Sequence, residues 1–356
     1  MMKLALLLLI AVPSGDPRGT DLLQLALVRY RNIEARGGWP RIPTGESLRP
    51  GSNSYRVAYL RARLAAEGYL LATLADSNPR FDSAVAAGLR RYQERNGLDT
   101  DAVLGRGTVA MLNVPVATRI RQLERNIERR SLLPADLGDR YVLVNVPEFR
   151  LRAFEGGRIA QDMRVVVGAD YKERGTPTFS DTMEYVIFSP YWYVPVDIAR
   201  EEIVPDARAD STYFARRDFE VVGNTEADAQ AMIEEIEAGR ATIRRRPGRG
   251  NPLGKVKFIF PNNHAVYLHD TSERHLFART RRAFSHGCIR VQRPTDLARW
   301  VLPNWSLEAI EKAMDAGTER HVRLAHKIPV HIVYWTATVD ADGTASFFED
   351  LYRLDR

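Results

Sequence analysis

The sequence predicts an α+β protein, a small helical region followed by a larger, mainly β region, and three observations carry that reading. Up to about residue 138 the apolar residues recur at helical spacing. From Arg140 onward they alternate with polar residues or run in β-branched blocks. Glycine and proline clusters interrupt the chain where one grammar gives way to the other. With 356 residues, 45% of them hydrophobic, the chain is long enough for two domains with buried cores.

Taken in order, residues 1–18 open with Met1-Met2-Lys3, an uncharged run from Leu4 to Val12, and then Pro13-Ser14-Gly15. That is the pattern of a secretory signal, and the run is too short to cross a bilayer as a helix. Residues 19–51 read as a leader. Leu22, Leu23, Leu25, Leu27, Val28 and Tyr30 make a helical pattern that Gly37-Gly38-Trp39-Pro40 must end. Residues 52–115 read as a unit of three short helices. Val57, Leu60 and Leu64 form the stripe of the first; Phe81, Val85, Leu89 and Tyr92 form that of the second; Thr108 to Leu112 is the third. Residues 116–139 read as a charged helical linker.

The β region is expected over residues 140–340, with a strand and tail over 341–356. Tyr141 to Val146 is β-rich, Phe149, Leu151 and Ala153 alternate with arginines, and Gly156-Gly157 marks a hairpin turn before Met163 to Val167. Further strands are expected at 184–189, 255–260, 265–269, 328–338 and 344–348. A helix-containing insertion covers about 198–252. It holds one helix near 225–237 and a basic, glycine- and proline-rich stretch, Arg244 to Gly250, that reads as an exposed loop. Another helix is expected near 295–301.

Charge and motif composition narrow the chemistry. The net charge of +6 favours anionic surroundings, but the arginines are spread along the chain and no nucleic-acid motif accompanies them. The single cysteine, Cys288, permits no internal disulfide. Four histidines, His264, His269, His275 and His286, lie near it, yet none of the usual metal-ligand spacings is present, so no metal and no cofactor is expected. Cys288 sits in Ala283-Phe284-Ser285-His286-Gly287-Cys288-Ile289-Arg290-Val291. A thiol needs a base, because its pKa near 8.5 leaves only a few per cent thiolate at neutral pH. It also needs donors for an oxyanion, which the N–H groups of Gly287 and Cys288 offer, and open space, which Gly287 provides. Two bases compete. His286 is two residues away, on the same side of an extended segment. His269 ends the strand-like run Tyr267-Leu268-His269, nineteen residues upstream.

A histidine followed nineteen residues later by Ser-His-Gly-Cys-Ile-Arg resembles the signature of the L,D-transpeptidase catalytic domain. The resemblance extends through Ser189-Pro190-Tyr191-Trp192-Tyr193-Val194-Pro195 and Phe260-Pro261-Asn262, over about residues 140–340, and is closest to larger members with a lid-like insertion. It implies a β-sandwich-like fold, Cys288 as nucleophile and His269 as base. Ser285, His286 and Gly287 then shape the site, and Arg290, Ser285, Tyr267 and Trp192 face the substrate. The implied partners are peptidoglycan stem peptides, a tetrapeptide donor and an amine acceptor, with a carbapenem as covalent inhibitor; the implied setting is the periplasm or cell envelope. Water in place of the amine would make the same site a carboxypeptidase, and loss of turnover would leave a wall-binding protein. Residues 52–115 are similar to the small three-helix peptidoglycan-binding domain, through Val57, Leu60, Leu64, Gly68, Phe81-Asp82, Tyr92-Gln93, Gly97-Leu98, Asp101, Val103, Gly105, Thr108 and Leu112-Asn113. Ala102 stands where that family usually has glycine.

Overall fold

Helix-forming and strand-forming stretches separate in the computed structural model into two units, residues 1–137 with 334–356, and residues 138–333. It describes residues 19–170, 174–223 and 229–355. The expected secretory segment, 1–18, lies outside the described residues, as does the beginning of the helix expected from Thr225.

Among its described residues the first unit has five α-helices: α1 (Thr20–Ala35), α2 (Arg56–Ala66), α3 (Ser83–Arg95), α4 (Arg106–Leu112) and α5 (Val116–Ser131). The stripes Val57, Leu60, Leu64 and Val85, Leu89, Tyr92 are buried against Val109 and Leu112. Asp82 caps α3, its carboxylate accepting from the Val85 N–H at 3.0 Å, and that bond holds the Asp82 carboxyl below its usual range. Ala102 adopts φ +58°, the left-handed region that favours glycine. It is held there by its own N–H donating to Gln93 Oε1 at 2.9 Å.

Two expectations change here. The leader and the linker are not connectors: α1 and α5 pack together around Leu23, Ala26, Tyr30, Ile120 and Leu123, and a hairpin of Ala337–Val339 with Ala345–Phe347 completes that core. Residues 334–340, expected to end the β region, therefore belong to the helical unit. Asn126 Nδ2 donates to Thr336 Oγ1 at 2.9 Å, Asn96 Oδ1 accepts from the Phe347 N–H at 2.9 Å, and the Arg119 guanidinium lies 4.4 Å from the centre of the Phe347 ring.

The second unit is built on strands β1 (Arg140–Asn145), β2 (Arg150–Glu155), β3 (Arg158–Gly168), β4 (Phe179–Phe188), β5 (Trp192–Tyr193), β6 (Phe219–Val222), β7 (Thr242–Arg245), β8 (Val256–Ile259), β9 (Leu268–His269), β10 (Ala283–Ser285), β11 (Ile289–Val291) and β12 (Arg320–Val333). Nine of them form one sheet in the order β10-β3-β11-β9-β8-β4-β12-β1-β2, and β2 also pairs with β3, so the sheet closes on itself. β3 makes this possible by changing neighbours along its length. Residues 158–164 pair with β2, 165–166 with β11, and Val167 and Gly168 with β10. The turn Gly156-Gly157, with φ of +58° and +72°, gives the mirror-image geometry that a tight β2–β3 hairpin demands. Helices Pro294–Val301 and Leu307–Met314 cover part of the sheet; the second has no counterpart in the sequence reading.

The insertion between β4 and β8 carries its own three-stranded sheet, β5-β7-β6, and its own core of Val194, Ile203, Val204, Ile233, Ile236 and Ile243. The basic stretch expected as an exposed loop begins inside this sheet. Arg244 pairs with Glu220 at 2.7 Å, and Arg246 also bonds Glu220. Asn251 closes the stretch, donating to the carbonyls of Pro190 at 2.8 Å and Arg246 at 3.1 Å.

Candidate active site

Three short strands set the site out in a row. β8 runs antiparallel to β9 with Lys257 opposite His269, and β9 runs parallel to β11 with His269 opposite Arg290. Side chains in register on neighbouring strands share a face. Lys257, His269 and Arg290 are therefore on one face, while Phe258, Leu268 and Ile289 are fully buried on the other. One step back along the register, the Ile289 N–H donates to the Tyr267 carbonyl at 3.1 Å, which sets Cys288 beside Tyr267. Because i and i+2 residues point the same way, Tyr267 and Cys288 extend the face that carries His269.

Local chemistry fixes the loops around the sulfur. Asn262 staples the turn that enters β9, donating to the carbonyls of Phe260 at 2.7 Å and Val266 at 2.8 Å and accepting from the His264 N–H at 3.0 Å. That turn presents the Ala265 carbonyl, which lies 3.6 Å from Cys288 Sγ and accepts its S–H. On the other side, Ser285 Oγ donates to the Cys288 carbonyl at 2.6 Å and accepts from the Gly287 N–H at 3.2 Å. Gly287 has φ +111°, which bars other residues, and its carbonyl accepts from Thr176 Oγ1 at 2.8 Å. Of the two N–H groups expected to receive an oxyanion, that of Gly287 thus already has an acceptor.

His269 is oriented by the residue that follows it. Its Nδ1 bonds the Asp270 carbonyl, so the proton sits on Nδ1 and Nε2 keeps its lone pair. Asp270 is itself locked: Oδ2 accepts from the Lys255 N–H at 2.9 Å and Oδ1 pairs with Arg274 at 3.0 Å. Burial, reinforced by the Arg290 and Lys257 cations, pushes the His269 pKa down to about 3. Burial also raises the Cys288 thiol, against the opposing pull of hydrogen bonds from the Tyr267 N–H and hydroxyl and of the charges on Lys257 and Arg290. Both shifts favour the uncharged forms, a thiol and a neutral imidazole.

A family model for the L,D-transpeptidase catalytic domain matches residues 139–331, just over half of the chain. The chain belongs to the L,D-transpeptidase family. A second model, "Putative peptidoglycan binding domain", matches residues 53–112. A Haemophilus influenzae protein named "Putative L,D-transpeptidase" is 28% identical over 241 residues, 66% of this chain and 48% of its own length. The chain thus spans about half the length of that curated relative. Among solved structures, an L,D-transpeptidase from Xylanimonas cellulosilytica is similar at 16% identity over 82% of this chain and 98% of that one, with a TM-score of 0.25. Another, from Stackebrandtia nassauensis, aligns at 12% identity over 82% of this chain and 96% of that one, with a TM-score of 0.31.

Within this transpeptidase domain the expected site residues do not all converge. Cys288, His269, Tyr267, Gly287, Ser285 and Arg290 lie together on β9, β11 and their loops. Tyr267 touches both partners, its ring edge-on to His269 at 5.6 Å and its hydroxyl at Cys288. Ser285 spends both hydrogen bonds on the backbone beside it and so shapes the loop. Arg290 bonds Glu273 through Nη1 and leaves Nε buried without a partner. His286, the rival base, points away from the sulfur toward the insertion, where Nε2 meets Glu202 Oε1 at 2.9 Å. Trp192 lies in β5 and packs into the insertion core, 6.2 Å from the Phe219 ring. Among the described residues no three His, Cys, Asp or Glu side chains gather into a metal-holding group. Sequence reasoning passed over Lys257, Asp270 and Thr176. A lysine inside an otherwise apolar strand was the one visible signal.

Proposed function

We propose that this L,D-transpeptidase carries out cysteine-based acyl transfer on peptidoglycan stem peptides, with Cys288 as nucleophile and His269 as base. The supporting observation is the shared sheet face of β9 and β11. It presents the thiol and an imidazole whose Nε2 is free because Nδ1 is tied to Asp270. The thiol leaves the Ala265 carbonyl by rotation about its Cα–Cβ bond and gives its proton to Nε2. The sulfur attacks the carbonyl of the third residue of a tetrapeptide, and the tetrahedral oxyanion collapses as D-alanine departs with the proton from His269. A side-chain amine of a neighbouring stem then gives up a proton to His269 and attacks the thioester, which yields a 3→3 crosslink and regenerates the thiol. General-base help of this kind is worth roughly 10²–10⁴ in rate. Peptidoglycan as substrate places the protein in the periplasm or cell envelope.

Mass spectrometry of the purified chain, incubated with a tetrapeptide disaccharide or a carbapenem, tests the reading. D-alanine release, and a carbapenem adduct on Cys288 that Cys288→Ala abolishes, are the expected results. An unmodified Cys288 with no release overturns it.

A further inference from the structure

The row Lys257–His269–Arg290 contains a cation whose presence the packing does not explain. Lys257 is half-buried, in a strand whose neighbours Val256 and Phe258 are fully buried. Holding an ammonium there is costly, and the cost shows as a lysine pKa below its usual value, burial being the main cause. Among the described residues Lys257 forms no ion pair. Glu319 acts on it from a distance, its own oxygens taken by the Tyr191 N–H at 2.8 Å and by His321 at 3.1 Å. Arg290, at the other end of the row, is offset by Glu273. Lys257 is thus the row's unneutralised charge. Its Nζ lies 5.2 Å from the centre of the Tyr267 ring, whose hydroxyl reaches Cys288.

His269 adds the second half of the argument. It is buried between two cations, so an imidazolium there is disfavoured, and a thiolate–imidazolium pair cannot be the resting source of a nucleophilic sulfur. An anion at Cys288 needs its countercharge from elsewhere on the same face. Resting on the assignment of Cys288 as nucleophile, we infer that Lys257 is a positioning residue for the reaction: its ammonium, anchored on the Tyr267 ring across β8 and β9, is the fixed positive charge that stabilises the Cys288 thiolate. The groups acting on the sulfur are Lys257 on β8, Tyr267 on β9 and Arg290, which is paired with Glu273; His269 lies on the same face, Glu319 just before β12 acts on Lys257, and His286 is turned away to Glu202 of the insertion. Of these cations, Lys257 alone is without a paired carboxylate among the described residues.

The single cysteine makes the test clean, since every alkylation event reports on Cys288. The rate of iodoacetamide modification is followed by intact mass as a function of pH for the full chain, Lys257→Met and Lys257→Arg. The Met variant is expected to shift the midpoint upward by about one pH unit, with roughly ten-fold slower modification near pH 7. Arg, which keeps the charge, restores the wild-type profile. A Met profile that superimposes on wild type overturns the inference. So does an Arg variant shifted as far as Met, which would mean that Lys257 acts through packing. Lys257→Gln, judged against its own melting curve, replaces Met if Met does not fold. The outcome is separable from that of the acyl-transfer reading: a Lys257-dependent profile without D-alanine release refutes acyl transfer and leaves Lys257's role standing.

Discussion

The depressed pKa of His269 bears on stability as well as on the proposed proton transfer from Cys288. In the folded chain His269 takes up a proton only near pH 3, whereas a free histidine does so near 6.5. Between those values the unfolded chain binds a proton that the folded one refuses, so stability falls as pH drops below about 6.5 and is unaffected above it. Burial lowers the pKa of His331 as well, which acts in the same direction. His269→Asn should accordingly show a smaller drop in melting temperature between pH 7.5 and pH 5 than the parent, measured by circular dichroism. Ser285→Ala tests the loop: it removes the acceptor of the Gly287 N–H and the donor to the Cys288 carbonyl. A loss of about 1–3 kcal/mol in stability is expected, with a fall in Cys288 alkylation rate. The residue types at the centre of the site were readable from the sequence because thiol, imidazole and glycine each have few roles at that spacing. Lys257 and Asp270 were not, because their parts depend on which strands are neighbours, nor was the packing of Trp192, because an aromatic next to a motif gives no hint of which core it enters.

Elements were readable where a local pattern determines them. The β1 block, the Gly156-Gly157 turn and the stripes of α2 and α3 all follow from residue spacing. Pairings across long stretches were not readable. β3 serves three neighbours, and nothing in its sequence states that it does. Likewise Arg244 and Arg246 looked like part of a solvated basic run until β6 brought Glu220 beside them. The short element β9 depends on a close approach that a substitution can test. A Cβ added at Gly254, where φ is +61°, would stand 2.3 Å from Asp270 Oδ2 and 2.6 Å from Asp270 Cβ. Asp270 supplies the carbonyl that orients His269, so the clash bears on the imidazole as well as on packing. Gly254→Ala is expected to cost more than about 1–3 kcal/mol, the usual toll of overpacking, and to slow carbapenem acylation. Equal stability and acylation in the variant would contradict this account of β9.

For the whole chain, order along the sequence and membership in a unit are different things. The described residues up to Leu137 and the stretch from Tyr334 build one unit, and the segment between them in sequence forms the other, the L,D-transpeptidase domain. No local signal announces this: the strand pattern near 337–347 looks the same whichever core it joins. Deleting residues after Val333 should leave β12 and the Cys288 site intact while removing the partners of Tyr69, Asn96 and Asn126. The expected readout is unchanged Cys288 alkylation together with loss of the helical unit's melting transition and of binding to isolated cell walls. Retention of that transition would show the hairpin to be dispensable. The hairpin also bears on the timing of biosynthesis. A ribosome releases α1 to α5 early, but the segment that closes their core emerges only after every strand of the L,D-transpeptidase domain. The helical unit must therefore wait, incomplete, for the unit that was made after it.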